Sequence, residues 1–71
     1  MEFLSELSAG SKVTVCSVGG RLMQRRLSEL GIYSGSRLEV VRNSGGPVIV
    51  LVLGTRFAIG RGQASKIEVR Q

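Results

Sequence analysis

The 71-residue chain is 42% hydrophobic and 21% charged with a single Pro, the composition of one small folded domain with no room for a separate catalytic one. Ten Lys and Arg against five acidic residues, all Glu, give a formal charge of +5, and eight of the ten cations are Arg, which suits paired contacts with an anionic partner better than mere solubility. With no His, no Asp and one cysteine, Cys16, the chain cannot assemble a Ser/His/Asp triad, a Cys/His dyad, an imidazole zinc site, an EF-hand loop or an internal disulfide, so it reads as a non-enzyme with no cofactor and a cytosolic location.

Phe3, Leu4 and Leu7 precede the turn-rich Ser8-Ala9-Gly10-Ser11 and form an apolar lead-in expected to fold onto the core. Residues 12–18 alternate with the period of a half-buried strand, Val13 and Val15 against Thr14 and Cys16, and Gly19-Gly20 ends it. From Arg21 to Leu30 the period changes: Met23, Leu27 and Leu30 fall at i, i+4 and i+7, which predicts an amphipathic helix closed by Gly31, with Ile32 packing back on the last turn. A strand over Arg37 to Arg42 places Leu38 and Val40 on one face and Glu39 and Val41 on the other. Asn43 to Pro47 reverses the chain, 48–53 form an apolar strand, and Gly54-Thr55 connects tightly to a fourth strand over Arg56 to Gly60, with Phe57 in the core. A turn over Arg61 to Ser65 leads to a last strand, 66–70, with Ile67 and Val69 inward. Five short strands and one helix in a single domain, 1–71, predict a mainly β, SH3-like small antiparallel barrel. Leu22, Met23, Leu27, Leu30, Val50 and Ile67 are expected in the core. The longest apolar run, Val48 to Leu53, is far below the roughly 18 residues of a membrane helix. The N-terminus, with Glu2 and Glu6, is not patterned as a signal peptide.

The string R-L-S-E-L-G-I at Arg26 to Ile32 is followed by Gly35, by Gly46-Pro47 opening the apolar strand, and by Gly54. Arg56-Phe57-Ala58-Ile59, Ala64 and Ile67-x-Val69 complete the series. In this order and spacing, from about Leu4 to Val69, the pattern resembles the FeoA family, small cytosolic partners of the FeoB ferrous iron transporter. The resemblance implies an SH3-like domain that docks on the cytosolic part of FeoB and supports ferrous iron uptake, and it is the only source of a link to a transition metal. The same domain occurs at the C-terminus of metal-dependent repressors, but these 71 residues leave no room for a helix-turn-helix, so the free-standing form is expected. Two departures stand out. Where members place polar residues along the strand after Gly-Pro, this chain has Ile49, Leu51 and Leu53; and Gly46 and Gly60 replace an acidic and a larger residue, whose roles are not transferred.

Two sets of residues are candidates for partner binding. Arg21, Arg25 and Arg26 load the N-terminal half of the helix with the charge its dipole disfavours, by about 0.3 to 1 kcal/mol for a charge in the first turn, and Glu29 is grouped with them as a candidate; contact with an acidic partner and a solvated face carrying an Arg25/Glu29 pair both stand as readings. Ile49, Leu51 and Leu53 form an outward apolar stripe for self-association or docking, unless the lead-in or the helix covers it. Gly19-Gly20-Arg21 lacks the spacing of a phosphate loop and reads as a strand-to-helix turn. Cys16 reads as a small strand residue, and Glu29, Glu39 and Glu68 show no metal-like spacing, so neither metal ligands nor catalytic residues are assigned. The alternative functions are a nucleic-acid-binding barrel and a repressor accessory domain. Against the first, only Phe3, Tyr33 and Phe57 are aromatic, which leaves few platforms for base stacking.

Overall fold

The computed structural model describes residues 2–71. The elements in chain order are β1 (Glu2–Phe3), a 3-10 turn (Leu4–Glu6), β2 (Lys12–Val18), α1 (Arg21–Glu29), β3 (Arg37–Arg42), β4 (Val48–Val52), β5 (Thr55–Ile59), the one-turn α2 (Arg61–Ala64) and β6 (Ile67–Arg70). All strand pairs are antiparallel, in one sheet of order β1-β6-β2-β3-β4-β5. A flat sheet of six strands would be roughly 24 Å wide and one layer thick, whereas the molecule measures 27 × 23 × 21 Å. The sheet is therefore curled around its own apolar face.

That face is supplied by alternation. Val48, Val50 and Val52 are buried along β4, Leu38 and Val40 along β3, and Ile67 and Val69 along β6. Two bulges let the pattern and the curvature coexist. In β2, Val15 lies opposite Val69 and Ser17 opposite Glu68, so Cys16 is the extra residue; the parity flips there, and Val18, rather than Ser17, joins Val13 and Val15 in the core. In β3, Val40 faces Val50 and Arg42 faces Ile49, so Val41 is extra. Each bulge tightens the local twist.

The open ends are stoppered from outside the sheet: Leu4 and Leu7 from the N-terminal segment, Leu27 and Ile32 from the helix and its exit, and Ala64 from α2 are all buried. Polar side chains hold these stoppers. Asn43 Nδ2 donates to the carbonyls of Ser5 (3.0 Å) and Leu7 (2.7 Å). Arg61 donates to the Ser5 carbonyl (3.1 Å), to the Gly45 carbonyl (3.3 Å) and to Asn43 Oδ1. Ser36, 9% exposed, donates to the Gly31 carbonyl (2.8 Å) and accepts from the Tyr33 N–H (2.9 Å), tying the helix exit to β3.

Several expectations are corrected. The described residues form six strands rather than five, because Glu2 and Phe3 pair with Val69 and Glu68 of β6, and residues 61–64 coil into α2 rather than a plain turn. Leu22 and Leu30, expected in the core, are 61% and 41% exposed; α1 is so short, and the sheet interior already so filled, that only Leu27 is fully buried, with Met23 packed at the margin. Phe57 is likewise only half-buried against the core. The turn between β4 and β5 is Leu53-Gly54, not Gly54-Thr55, since Val52 pairs with Thr55.

Two stability measurements check this account. Ile67→Ala is expected to cost about 2 to 5 kcal/mol in urea unfolding, whereas Leu22→Ala stays within about 0.5 kcal/mol. Asn43→Ala, which takes the side-chain donor from the Leu7 carbonyl and one of two from the Ser5 carbonyl, is expected to cost about 1 to 3 kcal/mol, read as a drop of several degrees in the thermal midpoint.

Candidate functional site

Helix α1 starts where Gly20 takes φ 87°, a value L side chains rarely adopt, and where Gln24 Nε2 donates to the Val18 carbonyl (2.8 Å), binding the first turn to the end of β2. It ends as the sequence predicts. Gly31 is left-handed at φ 87°, its N–H donates to the Ser28 carbonyl (3.0 Å), and the Ile32 N–H donates to the Leu27 carbonyl (2.9 Å), a Schellman closure with Ile32 and Leu27 both buried. With Leu27 turned inward, Arg21, Arg25, Arg26 and Glu29 are all exposed. Arg21 and Arg25 flank Leu22 around a shallow depression. Arg25 also borders a cleft of about 460 Å³ between α1 and β2, which Gln24 and Ser28 line from the helix and Cys16 from the strand. Ser34, which also lines the cleft, donates through Oγ to the Cys16 carbonyl (2.9 Å).

The second candidate set lies elsewhere. Ile49 and Leu51 point outward from β4 and are half-buried, but Leu53 is not on the strand. Leu53 (φ 50°) and Gly54 (φ 80°) are both left-handed, the geometry of a two-residue type I′ hairpin turn. The expected stripe of three is thus a pair plus a turn-borne Leu53 that is 88% exposed. Leu51 and Leu53 border a groove of about 480 Å³ over β2, β3 and the end of β6, which Lys12, Arg37, Glu39 and Arg70 also line. The groove and the cleft beside α1 share no lining residue. Lys12, Arg37 and Arg70 went unmarked in the sequence because each is only an outward position of a separate strand; that β2 lies between β3 and β6 is a fact of topology. Among the described residues no group of three or more His, Cys, Asp and Glu side chains is placed to hold a metal ion, and the Glu68 carboxylate accepts from Ser17 Oγ (3.2 Å). No described helix is long and apolar enough to cross a membrane.

The model of the FeoA domain matches residues 3–71. The chain belongs to the FeoA family. An iron uptake regulatory protein (FeoA) of known crystal structure is 37% identical, with 97% of this chain and 95% of that one covered and a TM-score of 0.90. The zinc complex of Stenotrophomonas maltophilia FeoA, described as a prokaryotic SH3 domain protein, is 32% identical over 99% of this chain and 91% of that one, at a TM-score of 0.84. The SH3-like fold class follows from this similarity. A Methanocaldococcus jannaschii Fe(2+) transport protein A is 53% identical over 45 residues, 63% of this chain and 55% of the relative, so the match spans little more than half the relative's length.

Leu53 supplies the local test. A left-handed Leu at the first position of a type I′ turn is strained where Asn is favoured, by roughly 1 kcal/mol. Leu53→Asn is therefore expected to leave the urea midpoint unchanged or raise it. A marked loss of stability would show that the exposed side chain packs for folding.

Proposed function

We propose that this FeoA-family chain is a non-enzymatic, single-domain accessory protein of ferrous iron uptake, working in the cytoplasm by docking on the cytosolic part of a FeoB-like transporter. The observation that carries the reading is the family match from residue 3 to residue 71, which makes the surface of this small barrel the candidate docking surface. That surface has charge to spare. Arg21, Arg25 and Arg26 project from a helix that gives only Leu27 fully to the core, and Arg21, on its first turn, works against the helix dipole. Their use in docking offsets a cost that folding alone leaves uncompensated. Binding of an acidic face to this helix would act through charge complementarity, which governs encounter rate and partner choice more than gross affinity.

The test is capture of the transporter's soluble domain, with and without guanine nucleotide, by the wild-type chain and by the double variant Arg25→Glu/Arg26→Glu. The variant should keep its thermal midpoint, since exposed substitutions usually change stability by no more than about 0.5 kcal/mol, and should capture less of the partner. Unfolding of the variant would make these side chains structural. Salt-sensitive binding of single-stranded oligonucleotides at near-physiological ionic strength, without capture of the transporter domain, would instead favour the nucleic-acid reading.

A further inference from the structure

We propose that the groove over β2, β3, β4 and β6 binds an extended acidic segment of a protein partner, its carboxylates held by Arg37 and Arg70 and an apolar side chain seated on Leu51 and Leu53. The sheet register carries the first half. Thr14 lies opposite Arg37 on one side and opposite Arg70 on the other, so two guanidinium groups flank one threonine on the outer face, their strands about 9.5 Å apart. Lys12 lies opposite Glu39 on the same face, so three cationic side chains and one side-chain carboxylate line the groove, together with Gln71. Glu68 is two residues from Arg70 on the outer face of β6, and its carboxylate is engaged by Ser17. Each arginine lies opposite Thr14 rather than a carboxylate, so the pair is open to an incoming anion.

The apolar half is carried by Leu51 and Leu53. Leu51 sits opposite Glu39 on β3 and opposite Arg56 on β5, an apolar step among charges. Leu53 is almost wholly in water and in a backbone conformation that Leu disfavours. Together they form a shelf at the groove's edge. An extended peptide points alternate residues the same way, roughly 7 Å apart, so two carboxylates and one apolar side chain at alternate positions match two arginines and the shelf. A nucleic acid is the poorer occupant because no aromatic residue lines the groove. A second copy is poorer still, since each carries a formal +5.

The assignment of the segment to a protein partner rests on the docking reading above, and the experiment separates the two. The isotope-labelled chain is titrated by NMR at low salt with the peptide Glu-Ser-Glu-Ser-Leu, with Gln-Ser-Gln-Ser-Leu, with Glu-Ser-Glu-Ser-Ser, and with oligothymidylate. Shifts from the first peptide are expected to cluster at Lys12, Thr14, Arg37, Leu51 and Leu53. Both altered peptides should bind about tenfold more weakly, and about 1 M salt should abolish binding, because the screening length there is about 3 Å. Arg37→Glu/Arg70→Glu should lose the peptide while keeping its thermal midpoint, and Arg25→Glu/Arg26→Glu should bind it as wild type does. Shifts absent or scattered at millimolar peptide, equal binding of the Gln peptide, or tighter binding of oligothymidylate in the groove would each overturn the proposal; the wild-type shift map decides it even if a variant fails to fold. Loss of this binding with transporter capture intact removes the groove alone, and the converse removes the transporter alone.

Discussion

One sheet has to bury its own apolar face. A chain of 71 residues has no second layer to press against a flat sheet, and a domain of this size buries only about 60% of the surface its unfolded form exposes. Curling the sheet on itself is the remaining solution, and the bulges at Cys16 and Val41 serve that end: each adds a residue to one strand, sharpens the twist and resets which side chains face inward. Everything outside the sheet is then a stopper for one of its openings. The N-terminal segment brings Leu4 and Leu7, the helix brings Leu27, and α2 brings Ala64.

Stoppers made of loops carry backbone groups that the sheet does not satisfy. Asn43 and Arg61 supply the missing donors for the N-terminal segment, and Ser36 supplies one for the helix exit. This divides the arginines into two populations that composition alone does not separate. Arg61 is half-buried and occupied with carbonyls of its own chain, whereas Arg21, Arg25, Arg26, Arg37, Arg42, Arg56 and Arg70 lie at the surface. The cationic character that points to an anionic partner belongs to the second population only.

The helix and the β4–β5 turn share a property that neither needs for folding. Each keeps a residue that its local conformation disfavours: the cation Arg21 on the first turn of α1, and a left-handed, exposed Leu at position 53. Broken local rules concentrate where a surface has another use, and here they sit at two separate places, the cleft beside α1 and the groove across the sheet. A small barrel that acts by binding thus has two distinct faces to offer.

Period and punctuation by themselves determined the five main strands, a helix read as 21–30 and found at 21–29, and its closure at Gly31 and Ile32, because strand alternation and the Schellman turn are local and leave their mark on consecutive residues. The helical period also named Leu27 correctly. It misplaced Leu30, and Leu22 was wrongly expected beside it, since an apolar residue on a two-and-a-half-turn helix is buried only if something lies beneath it, and the curled sheet takes Leu27 fully and Met23 in part. The cations of α1 were legible because they are neighbours in sequence. Tertiary structure alone decided the remainder: the pairing of Glu2 and Phe3 with β6, the Asn43–Arg61 clasp, and the meeting of Arg37 with Arg70 across Thr14. Each joins residues far apart in the chain, and which strands become neighbours is set by how the sheet closes around its core, a global balance that no local period records.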